Sequence, residues 1–484
     1  MFKIFTVGWD PEFIEQFLGA LERDPDFEFF HGLIGDADRV DLARTKWPDK
    51  RFATVSKSKR QGLPRTDFLL LGELERKGLA TIREMVQGDR VMRRRPSEES
   101  LQYATLLAVR MRESAEDFQP DLVLASHDGI HAAMSLAVAK SMNIPWVALA
   151  FTTIPGGLTA FSRGLTPNQL VPLERIVDEQ TKEDARKIVE RVRKKTQPIM
   201  AYRAPMTIAQ WSKQYVWHAG NLLIRKRKSQ FLGIDRFTYP TTTERAADII
   251  RRSFNRLTMP ASKMIQAPPK RPFVYFPLHM APESSVDTWA QHFQDQISLA
   301  KQFSIAVPTD TDFVVKLHFS DPDNYSRGQV EDLVARPGVH VAHPSASGSK
   351  FIEEASFILG IQGTSCLEGA LAGKPVLMFG DSPYLEFPSV KRAGRPDEWF
   401  EQVVSMRQLP RPNEDEILEA YTRYLARYMP GRINDWSQTI TLEETQRIVS
   451  CFHRLKDYVR RPDIRENWYE FDPFGVKPMP KFIQ

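Results

Sequence analysis

ILGIQGTSCLEGALAGKPVLMFG, residues 358–380, decides the fold. Phe357 to Ile361 is a short apolar run that ends at Gly363, which predicts a buried strand. Cys366, Leu367, Ala370 and Leu371 recur at helical spacing, and Gly373 stands where that helix should stop. Pro375 to Phe379 then predicts the next parallel strand. The unit is strand, tight turn, helix, strand.

The same alternation runs outward in both directions. Upstream, FVYFPL (273–278), DFVVKLHF (312–319) and VHVAHP (339–344) read as strands, and SSVDTWAQHFQDQISLAKQF (284–303) as one helix. The chain also starts this way. FKIFTVG is a strand, and DPEFIEQFLGALE follows as a helix with Asp10 at the N-cap and Pro11 at the first helical position. FEFFHGLI, PDLVLAS and IPWVALAF are further strands, separated by LQYATLLAVRMRESA and GIHAAMSLAVAKSM as helices. The expected fold is α/β, with two Rossmann-like domains facing a cleft, a helical insertion and a helical C-terminal tail. The boundaries expected are 1–165 for the first domain, 166–266 for the insertion, 267–410 for the second domain and 411–484 for the tail. APPKRP at 267–272 is the linker by composition.

In the insertion, Ala185, Ile188, Val189 and Val192 form an apolar stripe among basic residues. Trp211, Tyr215, His218 and Leu222 share a second face that runs into RKRK at 225–228. Such a face suits either a core-facing helix with a solvated basic end or peripheral contact with an anionic inner membrane. In the tail, Asn413 with Glu416 and Thr441 with Glu444 are capping-box pairs, and NWYEFDPFGVKPMPKF (467–482) is expected to pack as extended chain.

Composition narrows the function classes. The 484 residues are too many for one ordinary core, and 42% hydrophobic with 26% charged residues describes a globular protein. No apolar run reaches the length of a membrane span, and MFKIFTVGWD lacks the features of an export leader, so a cytoplasmic location is expected. Cys366 and Cys451, the only cysteines, give neither a disulfide framework nor metal-ligand spacing. A net charge of +5 favours an anionic partner, but no nucleic-acid-binding signature accompanies it, and none is expected as a partner.

Ligands in doubly wound sheets bind at the carboxyl ends of the strands, which singles out a small set of residues. Gly363, Thr364 and Ser365 open a helix, where N–H groups, the helix dipole and two hydroxyls suit a phosphate. The same residues also suit ordinary capping. Glu368, one turn in, could accept both hydroxyls of a ribose. FPLHMAPESS (276–285) places His279 and Glu283 in the loop after one strand. VVKLHFSDPDNY (314–325) places Lys316 and His318 at the end of the next, and Asp321-Pro322-Asp323 reads as a turn rather than a metal motif. In the first domain SHDG (126–129) ends a strand. Asp128, with His127 or His131, is the candidate base for an acceptor hydroxyl, and a capping role for Asp128 stays open; Asp10 is a weaker candidate.

YFPLHMAPESS, VVKLHFSDP and the opening stretch together resemble the three C-terminal motifs of the capsule polysaccharide biosynthesis glycosyltransferases, bacterial surface-carbohydrate enzymes of the GT-B fold. The resemblance covers residues 271–385 well, and 120–147 more loosely resembles the family's acceptor-side segment. It implies a nucleotide-activated sugar as donor substrate, with CMP or UDP as the nucleotide, and a glycan or lipid-linked acceptor. No separate cofactor and no metal are implied. Thr364 and Ser365 would then hold phosphate, Glu368 the ribose, Lys316 and His318 the phosphate from the opposite side, and His279 with Glu283 would face the sugar. Two departures stand out. Leu317-His318-Phe319 replaces the family's Glu-His-Pro, and Gly360 occupies the first position of the Glu-x7-Glu pattern of many retaining GT-B enzymes. The same motifs leave room for a nucleotide-sugar 2-epimerase, a CDP-polyol phosphotransferase or a non-catalytic subunit of a polysaccharide assembly complex.

Overall fold

The computed structural model describes the chain except for 35–36, 58–61, 78–79, 127, 156–157, 174–176, 178, 195–235, 431–440 and 471–484. Two sheets organise it. The first contains β1 (Phe2–Val7), β2 (Phe27–Leu33), β3 (Phe52–Thr54), β4 (Leu122–Ala125), β5 (Trp146–Phe151) and β6 (Leu158–Ser162). The second contains β7 (Phe273–Pro277), β8 (Asp312–Lys316), β9 (Val339–Ala342), β10 (Phe357–Gly360), β11 (Val376–Met378) and β12 (Val390–Arg392). A short β13 (Met429–Pro430) returns to the first sheet and pairs antiparallel with β6.

The first sheet runs β13-β6-β5-β4-β1-β2-β3, parallel from β5 through β3. The second runs β12-β11-β10-β7-β8-β9 and is parallel throughout. Each order reverses once, between β1 and β4 in the first sheet and between β7 and β10 in the second. These are the switch points, where a doubly wound sheet opens a crevice. The architecture is the expected pair of Rossmann-like domains.

The opening stretch folds as its pattern dictates. β10 is buried along its whole length and pairs with β11, Ile358 opposite Val376. Between them lies the helix Thr364–Leu371. It ends because Gly373 takes φ +72°, while the Lys374 N–H reaches back to the Gly369 carbonyl at 2.8 Å. A Cβ at Gly360 would stand 2.1 Å from Cys366 Sγ, so this strand has no room for the glutamate that the retaining pattern places there.

Helices fill the faces. α1 (Ser97–Phe118) and α2 (Gly129–Ser141) share one core cluster with β4 and β5. α3 (Glu179–Lys194) buries Ala185 and Val189 against Leu367 and Tyr421, with Ile188 and Val192 beside them, so the predicted stripe faces the core. α4 (Thr242–Leu257) follows, with a capping box between Thr241 and Glu244. The single helix expected over 284–303 is broken into α5 (Ser284–Asp287), a 3-10 turn at Gln291–Phe293 and α6 (Gln296–Ser304). Asp295 competes for the backbone here: its carboxylate accepts from the Ser298 N–H and starts α6 afresh. The helix after Asp10 is also irregular, since a π-turn occupies Ile14–Leu18 and Asp10 makes no side-chain cap bond.

α7 is the helix Thr364–Leu371 already described. α8 (Glu414–Ala426) and α9 (Leu442–Val459) begin at the two predicted capping boxes. Their packing differs. Ile417, Tyr421 and Tyr424 of α8 join the core beneath α7, whereas Ile448, Phe452 and Leu455 of α9 join Phe2, Ile4 and Phe17 of the first domain. Trp468 is buried in that same cluster, and the chain from 471 onward lies outside the described residues. So does the face of Trp211, Tyr215, His218 and Leu222 with its RKRK.

Candidate functional site

A cavity of about 290 Å³ lies between the two domains. The first domain lines it with Leu149 to Phe151 at the end of β5, Thr153, Ser162, Leu165 and Pro167. The second contributes His279, Glu283, Ser284, Ser285, Trp289, Gln362 to Thr364 and Ser382 to Tyr384; Tyr424 and Tyr428 close it from α8 and the turn beyond. The loops after β7 and β10 meet here because these two strands flank the switch point.

His279 is the joint between those loops. It is buried, and its Nε2 accepts the Gln362 N–H at 3.3 Å. A backbone N–H can only donate, so the ring proton sits on Nδ1. That proton is shared between Ser285 Oγ at 3.1 Å and Glu283 Oε2 at 3.3 Å. Gln296 fixes the histidine from behind, its side-chain oxygen accepting the His279 N–H at 2.7 Å. Burial pushes the Glu283 carboxyl up, but the His279 and Ser285 hydrogen bonds and the nearby His279 and His318 rings outweigh it, leaving Glu283 below the usual range. The cavity wall therefore presents an ionised carboxylate backed by a histidine.

Gly363 occupies the N-cap of α7, and the first N–H groups of that helix have no carbonyl a turn earlier to bond. The Thr364 and Ser365 hydroxyls make no hydrogen bond among the described residues. Glu368 lies four residues beyond Thr364, on the same helix face, and it too has neither hydrogen bond nor ion pair among them. Burial pushes its carboxyl up to about 7. The face thus offers donors at its tip and a carboxyl acceptor one turn along; Gly363 and Thr364 line the cavity, whereas Ser365 and Glu368 do not.

Other predicted residues sit elsewhere. The Lys316 ammonium is buried under the loop after β9, donating to the Pro344 carbonyl at 3.0 Å and the Leu317 carbonyl at 3.4 Å, and burial lowers it to about 8. It does not line the cavity. His318 is half-buried, its Nδ1 2.8 Å from Ser320 Oγ, and burial lowers it to about 4. Asp321 and Asp323 belong to a 3-10 turn at Pro322–Asn324 and hold Arg252, in line with the turn reading.

Across the cleft the SHDG residues take separate places. His131 is buried in α2 with Nε2 2.9 Å from the Tyr103 hydroxyl, and burial lowers it to about 4; it packs in the core and does not line the cavity. Asp128 stands at the N-cap of α2 without capping it. Asp89 caps instead, one oxygen accepting the Ile130 N–H at 3.0 Å and the other the N–H groups of Val91 and Met92. Asp128 is engaged by Arg90 at 3.0 Å and by the Thr288 hydroxyl of the other domain at 3.1 Å, outside the cavity wall. His127 lies outside the described residues.

Arg90 also meets Asp287 at 3.1 Å, and Arg93 meets the same carboxylate at 2.7 Å. Asp128, Arg90, Asp287 and Arg93 form an ion-pair chain that ties the domains together. Sequence reading missed Ser382, Pro383 and Tyr384 of the cavity, although they follow β11 and the strand-end rule could have found them. Tyr424 and Tyr428 carried no local signal. Away from the cleft, Asp24, Asp26 and His453 bring ligand atoms within 4.8 Å of one another, but Lys456 lies 2.5 Å from Asp26 and supplies a counter-charge. No helix among the described residues is long and apolar enough to cross a membrane.

Fold and cavity define a two-domain α/β protein with a largely apolar and aromatic cavity at the domain interface, into which His279, Glu283 and a few hydroxyls are set. No protein-family model matches the sequence, and no curated protein matches it. Among solved structures, the chain is similar to the KpsC beta Kdo 2,7 transferase of Thermosulfurimonas dismutans, at 12% identity over 71% of this chain and 89% of that one, with a TM-score of 0.36. It is also similar to the UDP-GlcNAc 2-epimerase of Methanocaldococcus jannaschii in complex with UDP-GlcNAc and UDP, at 13% identity over 87% and 98%, with a TM-score of 0.26. A glycotransferase of kitacinnamycin aligns at 14% identity over 88% and 94%, with a TM-score of 0.27. At this level of similarity the reading of the site rests on its own residues.

Proposed function

We propose that the protein is a glycosyltransferase that moves a sugar from a nucleotide-activated donor to a glycan or lipid-linked acceptor in surface polysaccharide synthesis. The observation that carries this reading is the α7 face. Unpartnered hydroxyls and N–H groups at its tip stand at a switch point, with an unpartnered carboxylate one turn deeper. Phosphate at the tip and ribose hydroxyls at Glu368 would satisfy both sets of groups at once. The sugar would then enter the cavity beside His279 and Glu283.

In an inverting transfer the acceptor oxygen bonds to the anomeric carbon as the bond from that carbon to the phosphate oxygen breaks. The acceptor proton passes to Glu283, the ionised carboxylate in the wall, with His279 holding it in place. The negative charge that develops on the leaving phosphate is met by the α7 N-terminus and the Thr364 and Ser365 hydroxyls. Asp128, held by Arg90 and Thr288, serves the domain interface in this scheme.

The test is thermal stabilisation by CMP, CDP, UDP and GDP, followed by nucleotide release from the sugar donor with and without a glycan acceptor. One nucleotide should raise the Tm. Release should then require acceptor. Turnover of the donor without acceptor would establish the 2-epimerase reading instead, and no stabilisation by any nucleotide would overturn both.

A further inference from the structure

We propose that α4 docks the protein onto an anionic lipid surface. Ile250, Phe254 and Leu257 recur at i, i+4 and i+7 and so share one face of this helix, yet they are 69%, 65% and 86% exposed. A surface helix ordinarily turns such a stripe to the core. Here the attachment is polar. Asn255 is buried and donates to the Asp323 carbonyl at 3.0 Å, Arg252 pairs with Asp321 and Asp323, Glu244 meets Arg95 at 2.5 Å, and Asp248 meets Arg94 at 3.1 Å. The helix is therefore bound to the protein by its charged face, with its apolar stripe outward.

Charge selects the occupant. Residues 242–263 carry five Lys or Arg and two Asp or Glu; Arg252 faces the protein, while Arg251 and Lys263 are about half exposed even though they reach Asp248 at 3.6 Å and Glu331 at 2.9 Å. An apolar stripe with cations beside it is the pattern of a helix lying in a lipid interface, where basic residues meet anionic headgroups. A second copy of the chain is a poorer fit. Three side chains fall well short of the roughly 800 Å² per partner that a stable protein interface buries.

The position gives docking a consequence. Arg252 donates to the Ala281 carbonyl at 3.2 Å, between His279 and Glu283, and Arg251 donates to the Asn324 carbonyl at 3.1 Å. α4 thus rests on the loops after β7 and β8, at the rim of the cleft. Docking there would hold the cavity at the lipid surface, which suits the lipid-linked acceptor of the proposed reaction. The lipid contact itself does not depend on that reaction.

The experiment is co-sedimentation of the full chain with phosphatidylcholine vesicles, with and without phosphatidylglycerol, for wild type and Ile250→Gln/Phe254→Gln. Wild type should bind the anionic vesicles, more weakly at high salt. The variant should bind them roughly tenfold or more weakly while its Tm is unchanged, since both positions are solvent-exposed. Equal binding by the two proteins, or none by wild type, would overturn the proposal. So would a concentration-dependent dimer that the same substitutions dissolve, because the stripe would then belong to a second copy.

Discussion

Replacing Glu368 by Gln should make the protein more stable at alkaline pH and a poorer nucleotide binder. The carboxyl is held at about 7 by burial, against an ordinary 4.5. Below about pH 4.5 it is protonated in both the folded and unfolded chains, and it contributes nothing to the pH dependence. As pH rises through that point the unfolded chain releases the proton first, so stability falls progressively, and the fall is complete above about pH 7. The loss amounts to roughly 3 kcal/mol. Gln cannot ionise. The variant should lie within about 1 kcal/mol of wild type near pH 5 and exceed it by about 3 kcal/mol at pH 8, a Tm rise of several degrees. Nucleotide binding should run the other way. Ribose hydroxyls donate to the ionised form, so wild-type affinity should increase with pH towards about 8, whereas the variant should bind weakly and without that trend. Melting curves at pH 5, 6.5 and 8, with and without the stabilising nucleotide, read both effects. Identical pH dependence of the two melts would refute the unpaired-carboxylate argument. A normal pH dependence with unaltered nucleotide affinity would refute only the ribose role.

Glu283→Gln should lower turnover by roughly 100-fold or more while nucleotide Kd stays within about twofold, and preserved turnover would remove it as proton acceptor. Asp287→Ala removes a carboxylate only 4% exposed that holds Arg90 and Arg93 of the other domain. The uncompensated charges should cost about 3 kcal/mol and open the cleft, seen as a lower Tm and a larger radius of gyration in solution scattering; unchanged values of both would show that the clamp is not needed. Gly360→Ala forces a Cβ to 2.1 Å from Cys366 Sγ and should destabilise by about 1–3 kcal/mol, most of it recovered in Gly360→Ala/Cys366→Ala; no recovery would place the strain elsewhere.

What was legible in the sequence depended on the range of the forces involved. The strand–turn–helix–strand of 358–380 is set by neighbours within a turn: the apolar run, the helix-start residues and the left-handed Gly373. The capping boxes at Asn413 and Thr441 are equally local, and both appear where the pattern put them. The burial of His131 was not legible, because its partner, Tyr103, lies on another helix. Tyr424 and Tyr428 reach the cavity because the tail crosses the second domain before returning to the first, a path no local period encodes. α4 is instructive in a different way. Ile250, Phe254 and Leu257 stand at helical spacing, a pattern the sequence analysis did not single out, and the ion pairs to Arg94, Arg95, Asp321 and Asp323 turn that stripe outward.

The candidate site is distinguished by what its groups lack. Folding favours pairing of buried charges and polar groups, and the domain interface obeys that rule through Asp128, Arg90, Asp287 and Arg93. Lys316 obeys it too, with two backbone carbonyls. On α7, by contrast, the half-buried Thr364, Ser365 and Glu368 side chains make no hydrogen bond or ion pair among the described residues. A carboxyl near pH 7 that nothing in the fold neutralises is a cost carried in the free protein, and such costs persist where a ligand removes them. Asp128, Arg90, Asp287, Arg93 and Thr288 hold the two domains in register. Thr364, Ser365 and Glu368 hold no protein group among the described residues and are left for a ligand.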